Sequence, residues 1–392
     1  MEIAIVILVI ILAILFNFVN GLNDAANSIA TIVATRALSP LQSVLLASVF
    51  NLIGPFVFTT AIAATIGRGI VNPALISPSL LLAAIFGGVL WVFSASYFGI
   101  PVSSSHGLIG GLLGAGIAVG GFEAILWPPI EVLETVLLSM LVGGAVVAFL
   151  YTILKFLKGD EWKSTVGVSF LAGMSISVPL LIILGFLRVT GILAVVIFIV
   201  ISPMLGLLAA FFFGLVIMSL LRNHSPSDLG NVFKRLQIVA ASFQSLGHGA
   251  NDAQNAMGII TAMLIAGGFL SEFIVPIWVI LVCTLAISLG TLLGGWRVVE
   301  KMAQKITKIR PYQGFAASTA GGVVLSLMTA FGVPVSTTHA MAGSIMGVGA
   351  TRGYSAVKWG IVREIVAAWI ITIPASALVS WLFFSGYSFF FP

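Results

Sequence analysis

Asn17-Phe-Val-Asn-Gly-Leu-Asn-Asp-Ala-Ala-Asn-Ser28 is a polar box set in an apolar stretch, and Ser245-Leu-Gly-His-Gly-Ala-Asn-Asp-Ala-Gln-Asn-Ala256 is its second copy. The two share Gly-x-Asn-Asp-Ala-x-Asn, 228 positions apart. Asp24 and Asp252 are the only acids well inside apolar segments; the others fall in loops or near segment ends. A carboxylate at bilayer depth costs about 2.5–3.5 kcal/mol on insertion scales. A chain that carries two must offset that cost through whatever they bind.

The surrounding composition makes the bilayer the relevant solvent. With 392 residues, 60% of them apolar, 7% charged and 42 glycines, the chain is excluded from the soluble globular class. Stretches long enough to cross a hydrocarbon layer of about 30 Å recur throughout, and glycine suits closely packed membrane helices. The fold class is all-α polytopic membrane protein. A lone Cys283 rules out an internal disulfide framework. The net charge of +5 is spread over short loops, which reads as topology signalling and not as nucleic-acid binding. No basic region precedes the first apolar run, so no signal peptide is expected. No loop is long enough for a soluble domain, and any chemistry must occur within the membrane.

Residues 3–16 are uniformly apolar but give only about 21 Å of helix. Extended through the box to Thr35, the segment is too long for an ordinary span. It predicts a discontinuous or strongly tilted helix, broken near Gly21. A span at 41–66 follows, then a loop at Pro73 and Pro78. Segment 80–97 ends at Gly99-Ile-Pro101, before Val102-Ser-Ser-Ser-His106 and glycine-rich 107–120. Plain spans are expected at 130–157, 165–187 and 191–221. The polar linker Arg222–Asn231 contains Pro226 and Asp228. From Lys234 the order restarts, with the second box and a span at 273–295. Arg297, Lys301, Lys305, Lys308 and Arg310 then predict a basic interfacial helix near 296–310. Segment 312–331 ends at Gly332-Val-Pro334, before Val335-Ser-Thr-Thr-His339, glycine-rich 340–349 and a last span at 358–384.

The stretch Phe98–His106 thus reappears as Phe331–His339, 233 positions later. Two motifs repeated in the same order indicate internal duplication. The chain divides into repeat 1 at 1–120, connecting helices with a short cytoplasmic linker at 121–230, repeat 2 at 231–350 and a C-terminal helix at 351–392. All of the 17 Lys and Arg residues except Arg68 and Arg188 fall at Arg36 or in loops 155–163, 222–235, 297–310 and 352–363. Loop 120–134, with Glu123, Glu131 and Glu134, has no base. The positive-inside rule puts the basic loops in the cytoplasm and loop 120–134 outside. With an odd number of spans between them, the halves are then inverted. The hairpin around Pro101 re-enters from outside, that around Pro334 from the cytoplasm, and both termini face outward. Inverted repeats with broken helices meeting at the midplane are a plan of secondary transporters.

Asn20, Asn23, Asp24 and Asn27 share one helix face, as do Gln244, His248, Asn251, Asp252 and Asn255. One carboxylate with several amide carbonyls, joined by backbone carbonyls freed at a helix break, suits a monovalent cation better than calcium. The bland reading is amides bonding neighbouring helices; two matched boxes, each with a buried Asp, favour the ion. At the hairpin turns Pro ends one helix and Ser or Thr caps the next. A capped start offers free N–H groups, hydroxyls and a positive dipole end, an anion site. Two such starts entering from opposite sides would hold one tetrahedral oxyanion without arginine. His106 and His339 lack an acidic or Cys partner at ligand spacing, so each is expected to bond the hairpin backbone, with proton sensing or carriage as the alternative. Gly107, Gly110, Gly111, Gly114, Gly343 and Gly347 read as close-packing positions.

These four motifs, in fixed order over nearly the whole chain, resemble the PiT family of inorganic phosphate transporters. The resemblance implies about twelve membrane segments, inverted repeats with discontinuous helices and re-entrant hairpins, and cation-coupled phosphate uptake. The short linker Arg222–Lys234 is similar to that of compact prokaryotic members. Matched motif by motif, Asn23, Asp24, Asn27, Asn251, Asp252 and Asn255 would bind sodium. Ser103, Ser104, Ser105, Ser336, Thr337 and Thr338, with Asn27 and Asn255, would meet phosphate. His106, His339 and Gln254 are supporting candidates. Leu22 departs from the pattern that Ala250 keeps, with little consequence, while Gln254 against Ala26 would make the two cation sites unequal. Relatives use sodium or protons, and some carry sulfate.

The expectation is therefore a sodium-coupled phosphate symporter, not an enzyme, spanning a prokaryotic plasma membrane. It would have no cofactor other than its coupling ion, no nucleic-acid partner, and a homodimeric assembly. A proton-coupled phosphate or sulfate symporter and a passive anion channel are the alternatives. An intramembrane Ser/His/Asp hydrolase is disfavoured, because an active site has little use for matched inverted halves.

Overall fold

The computed structural model describes residues 2–157, 166–189, 191–224 and 226–390. The basic loop expected at 155–163 lies mostly outside the described residues, as do the side chains of Pro226 and Asp228. Fourteen α-helices form among the described residues. The first 120 residues hold α1 (Glu2–Thr35), α2 (Pro40–Ile53), α3 (Ala61–Arg68), α4 (Pro78–Tyr97) and α5 (Ser104–Gly120). Next come α6 (Ile130–Leu157), α7 (Val166–Ile183) and α8 (Gly191–Leu220). The remainder holds α9 (Pro226–Ala266), α10 (Ile277–Leu293), α11 (Trp296–Glu300), α12 (Pro311–Ala330), α13 (Thr337–Ala350) and α14 (Trp359–Phe390).

Seven helices are long and apolar enough to cross a membrane, or nine if each bent pair is one span. Length and composition alone thus do not reach twelve; α9 carries the polar box, and α13 has only 14 residues. Local chemistry explains several boundaries. Ser39 and Gln42 form a capping box ahead of α2, with Pro40 at its first position. Ser77, ahead of Pro78, caps α4 by accepting from the Leu80 amide.

The expected break near Gly21 is not there. α1 runs unbroken for 34 residues, about 51 Å, and α9 for 41 residues through the second box. Gly21 serves packing: a Cβ there would lie 2.0 Å from the carbonyl oxygen of Ile287 on α10. The breaks fall one helix later. α2 and α3 meet at 81°, and α10 meets α11 at 63°. The basic segment is helical only over Trp296–Glu300, continues as a π-turn at Lys301–Lys305, and is non-helical at 306–310. It is docked, because Arg297 donates to the Tyr97 carbonyl at 2.5 Å and Lys301 pairs with Glu364 at 3.2 Å.

The two halves grip each other reciprocally. Gly54 abuts the Leu246 carbonyl and Ala250 amide of α9, and Gly290 abuts the Phe18 carbonyl and Leu22 amide of α1, the same box positions. Gly110 and Gly114 pack on the Ile373 and Ala377 carbonyls, and Gly343 and Gly347 on those of Pro203 and Leu207. A Cβ at any of these six would come within 2.6 Å of backbone, so the small-residue faces are close-packing faces, as their sequence suggests.

The α4–α5 hairpin begins and ends beside Leu75, which a Cβ on Gly120 would meet at 2.9 Å. Loop 70–72 pairs there with 124–126, and Arg68 and Arg188 line cavities on this face. The α12–α13 hairpin begins and ends on another face, where Gln313 donates to Val348 and Arg352 to Thr307 and Lys308. α9 joins the two faces: Gln237, near its start, meets Thr35, and Ala262–Ala266, at its end, lies beside Arg68. The hairpin tips meet between them.

Candidate functional site

The tips, at 98–103 and 331–336, turn through Gly99 and Gly332, whose φ values of 67° and 69° favour glycine. The first hydroxyl of each triplet is committed to its helix: Ser103 accepts from the His106 amide at 3.3 Å and Ser336 from the His339 amide at 3.2 Å. The next hydroxyls turn to the boxes. Ser104 donates to Asp24 Oδ2 at 3.0 Å, Thr338 to Asp24 Oδ1 at 2.9 Å, and Thr337 to Asp252 Oδ2 at 3.1 Å. Each aspartate thus bonds the second hairpin, and Asp24 bonds both. Thr338 also lies 3.1 Å from the Val102 carbonyl, joining tip to tip.

The box amides point their NH2 groups at protein. Asn23 donates to Ser96 at 2.7 Å, Asn27 to Thr338 at 3.0 Å, Asn255 to Ser105 at 2.8 Å, and Asn251 to the Val335 carbonyl at 2.9 Å and to Asp252 Oδ1 at 2.7 Å. Among the described residues, Oδ1 of Asn23, Asn27, Asn251 and Asn255 accepts no hydrogen bond, although all four are buried. An unsatisfied buried acceptor costs about 1–3 kcal/mol. Four at matching positions of two boxes form a set of neutral oxygens suited to a cation. Asp24, Asp252 and His248 each bring a ligand atom into the same spot, all within 4.8 Å of one another. The two carboxylates, far apart in sequence, therefore share one pocket. The box residues and the hairpin hydroxyl residues named above are at most 6% exposed, so the site is closed.

The remaining candidates play other parts. Gln254 faces away from the carboxylates: it accepts from the Ala63 amide at 3.1 Å and donates to the Thr59 carbonyl at 2.9 Å, tying α9 to both sides of the α2–α3 break. Its amide is thus bonded to the backbone at the break and of α9 itself, not to Asp24 or Asp252. His106 and His339 meet edge to face, ring centroids 4.9 Å apart, and Trp369 stacks on His339 at 3.9 Å. His339 Nδ1 reaches the Ile199 carbonyl of α8 at 3.2 Å, not its own hairpin, and His106 Nδ1 has no partner among the described residues.

Sequence reasoning placed His248 on the box face without giving it a role, and missed Asn51 and Ser96. His248 Nε2 sits 3.3 Å from Asp252 Oδ2 while its Nδ1 lies 3.0 Å from Asn51 Oδ1. Asn51 donates in turn to Thr291 at 2.9 Å. The four-residue spacing of His248 and Asp252 was a usable signal. Asn51 and Ser96 stand alone in apolar helices, and nothing in their spacing marks them.

The sequence profile of the "Phosphate transporter family" matches residues 20–380 of the chain. A protein of Rhizobium meliloti (strain 1021), described as "Probable low-affinity inorganic phosphate transporter", is 42% identical over 95% of this chain and 93% of its own. One of Bacillus subtilis (strain 168) with the same description is 34% identical over 95% and 93%. A solved structure described as "The sodium-dependent phosphate transporter" superposes with a TM-score of 0.71, at 25% identity, covering 98% of this chain and 99% of that one.

Proposed function

Since the chain belongs to the phosphate transporter family, a family of transporters and not of enzymes, we propose that it is a sodium-coupled symporter of inorganic phosphate. The observation that carries this reading is that four buried Asn carbonyl oxygens of the two boxes accept no hydrogen bond among the described residues, while the two box carboxylates lie close together. Sodium takes oxygen ligands of limited charge, and these are such ligands. The similar solved structure, a transporter described as sodium-dependent, points the same way for that protein.

Hydroxyl arithmetic supplies the coupling. A hydroxyl has one proton to donate, and those of Ser104, Thr337 and Thr338 are donated to Asp24 and Asp252. Phosphate approaching in this state meets two anionic carboxylates and no free donor among the three. Cations at the boxes take over the carboxylate lone pairs and cancel their charge. The three hydroxyls can then turn to phosphate oxygens, joined by Ser105. Cation and oxyanion thereby need each other, and neither needs an arginine.

The reciprocal glycine contacts and the hairpins that start from different faces support inverted repeats, with one hairpin closing each side of a central site. We place the protein in a prokaryotic plasma membrane with both termini outside; in support, Arg352 meets Thr307 and Lys308 at the ends of the α12–α13 hairpin, whereas Arg68 and Arg188 lie at the ends of the α4–α5 hairpin, and the positive-inside rule puts the more basic loops in the cytoplasm. A homodimer is part of the proposal. The experiment is radiolabelled phosphate uptake into proteoliposomes at zero potential, with an inward sodium gradient, an inward proton gradient, or competing sulfate. Accumulation driven by sodium supports the reading. Accumulation driven only by protons, displacement by sulfate, or mere equilibration as through a channel contradicts it.

A further inference from the structure

A second anion-recognising place lies far from the boxes. The end of α8, the start of α9 and the start of α12 enclose a cavity of about 480 Å³. Its lining combines the bases Arg222, His224 and Arg310 with apolar side chains, among them Ile217, Leu221 and Phe233. Phe233 and Tyr312 meet edge to face at 6.3 Å. No acidic residue is among the described lining residues, and neither arginine forms an ion pair among the described residues. Leu220 and Val232, next in sequence to the lining residues Leu221 and Phe233, are 75% and 49% exposed, so exposed apolar side chains flank the lining residues on both helices.

We propose that this cavity is a binding site for an anionic glycerophospholipid, its phosphate held by Arg222 and Arg310 and the upper part of an acyl chain lying on Ile217, Leu221 and Phe233. Charge complementarity selects the headgroup: two guanidiniums with no carboxylate between them among the described lining residues favour a phosphodiester. The lining selects the tail. A free phosphate ion would leave four apolar side chains without a role, whereas an amphipathic ligand uses both halves. Basic pockets between membrane helices at the interface recognise lipid headgroups in this way. Bound there, the lipid fastens the first turns of the box helix α9 and the hairpin helix α12 to α8.

The test is native mass spectrometry of the detergent-purified full chain, titrated with phosphatidylglycerol or with phosphatidylcholine of the same acyl composition. The wild type is expected to hold phosphatidylglycerol roughly twenty-fold more tightly, from two basic contacts of ordinary strength. Arg222→Gln with Arg310→Gln should bring it to the phosphatidylcholine level. Leu221→Trp, which fills the apolar half and keeps both charges, should expel the lipid as well. Equal binding of the two lipids by the wild type, preference retained in the double variant, or displacement of the lipid by millimolar inorganic phosphate would each overturn the proposal.

Discussion

Thr338, in the first turn of α13, donates its hydroxyl proton to Asp24 of the first box at 2.9 Å, across 314 positions of sequence. The bond ties the two repeats through the groups on which transport is proposed to turn. It makes Thr338→Val a sharp test, since the replacement keeps the shape and removes the donor. Loss of a hydrogen bond to a charged group is worth about 1.5–3 kcal/mol, so phosphate affinity should fall by roughly ten- to a hundred-fold. Thr338→Ser should restore most of it. Uptake kinetics on reconstituted protein distinguish the two variants.

Asp24→Asn and Asp252→Asn should each abolish sodium-driven accumulation in a protein that still purifies as a single species. The neutral amide removes the charge a cation must meet and adds an NH2 where an acceptor stood. Full uptake by both variants would remove the carboxylates from the coupling scheme.

Gly21→Ala should destabilise, because its Cβ would stand 2.0 Å from the Ile287 carbonyl. Overpacking of this kind costs about 1–3 kcal/mol, read as a lowered midpoint in thermal unfolding in detergent. Gly360→Ala, on α14 with open space around it, is the control and should leave the midpoint unchanged or raise it slightly.

Gln254→Ala should loosen the fold and leave the sodium dependence of uptake intact. Its amide satisfies the Thr59 carbonyl and the Ala63 amide at the α2–α3 break, and unsatisfied groups there cost about 1–3 kcal/mol each. A changed apparent sodium affinity with unchanged stability would contradict that assignment.

Much of this architecture was legible because polarity is rare in such a chain. Asp24 and Asp252 stand out against apolar neighbours, and the hairpin turns carry proline, glycine and hydroxyls whose caps form as those residues dictate. Gly21 shows the limit. Glycine within a helix signals a break or a close neighbour equally well, and only the position of Ile287 on α10 decides between them. The role of Gln254 was hidden likewise, since its partners lie on the backbone of a bent helix and carry no side-chain signature. Pairings such as Asn23 with Ser96 and His248 with Asn51 depend on which helices become neighbours, a long-range fact that spacing along one helix does not contain. Ser103 and Ser336, assigned to the anion by the motif pattern, also cap their helices as acceptors, a local demand that leaves each hydroxyl proton available.

The central claim is that the hydroxyls of Ser104, Thr337 and Thr338 reach phosphate only when cations have taken their carboxylate acceptors. Equilibrium binding of radiolabelled phosphate to purified protein, at fixed pH and ionic strength with sodium replaced stepwise by choline, tests it most directly. The account predicts that phosphate affinity collapses as sodium is withdrawn, and that phosphate raises sodium affinity by the same factor, as linkage requires. Phosphate bound equally well with and without sodium would contradict it.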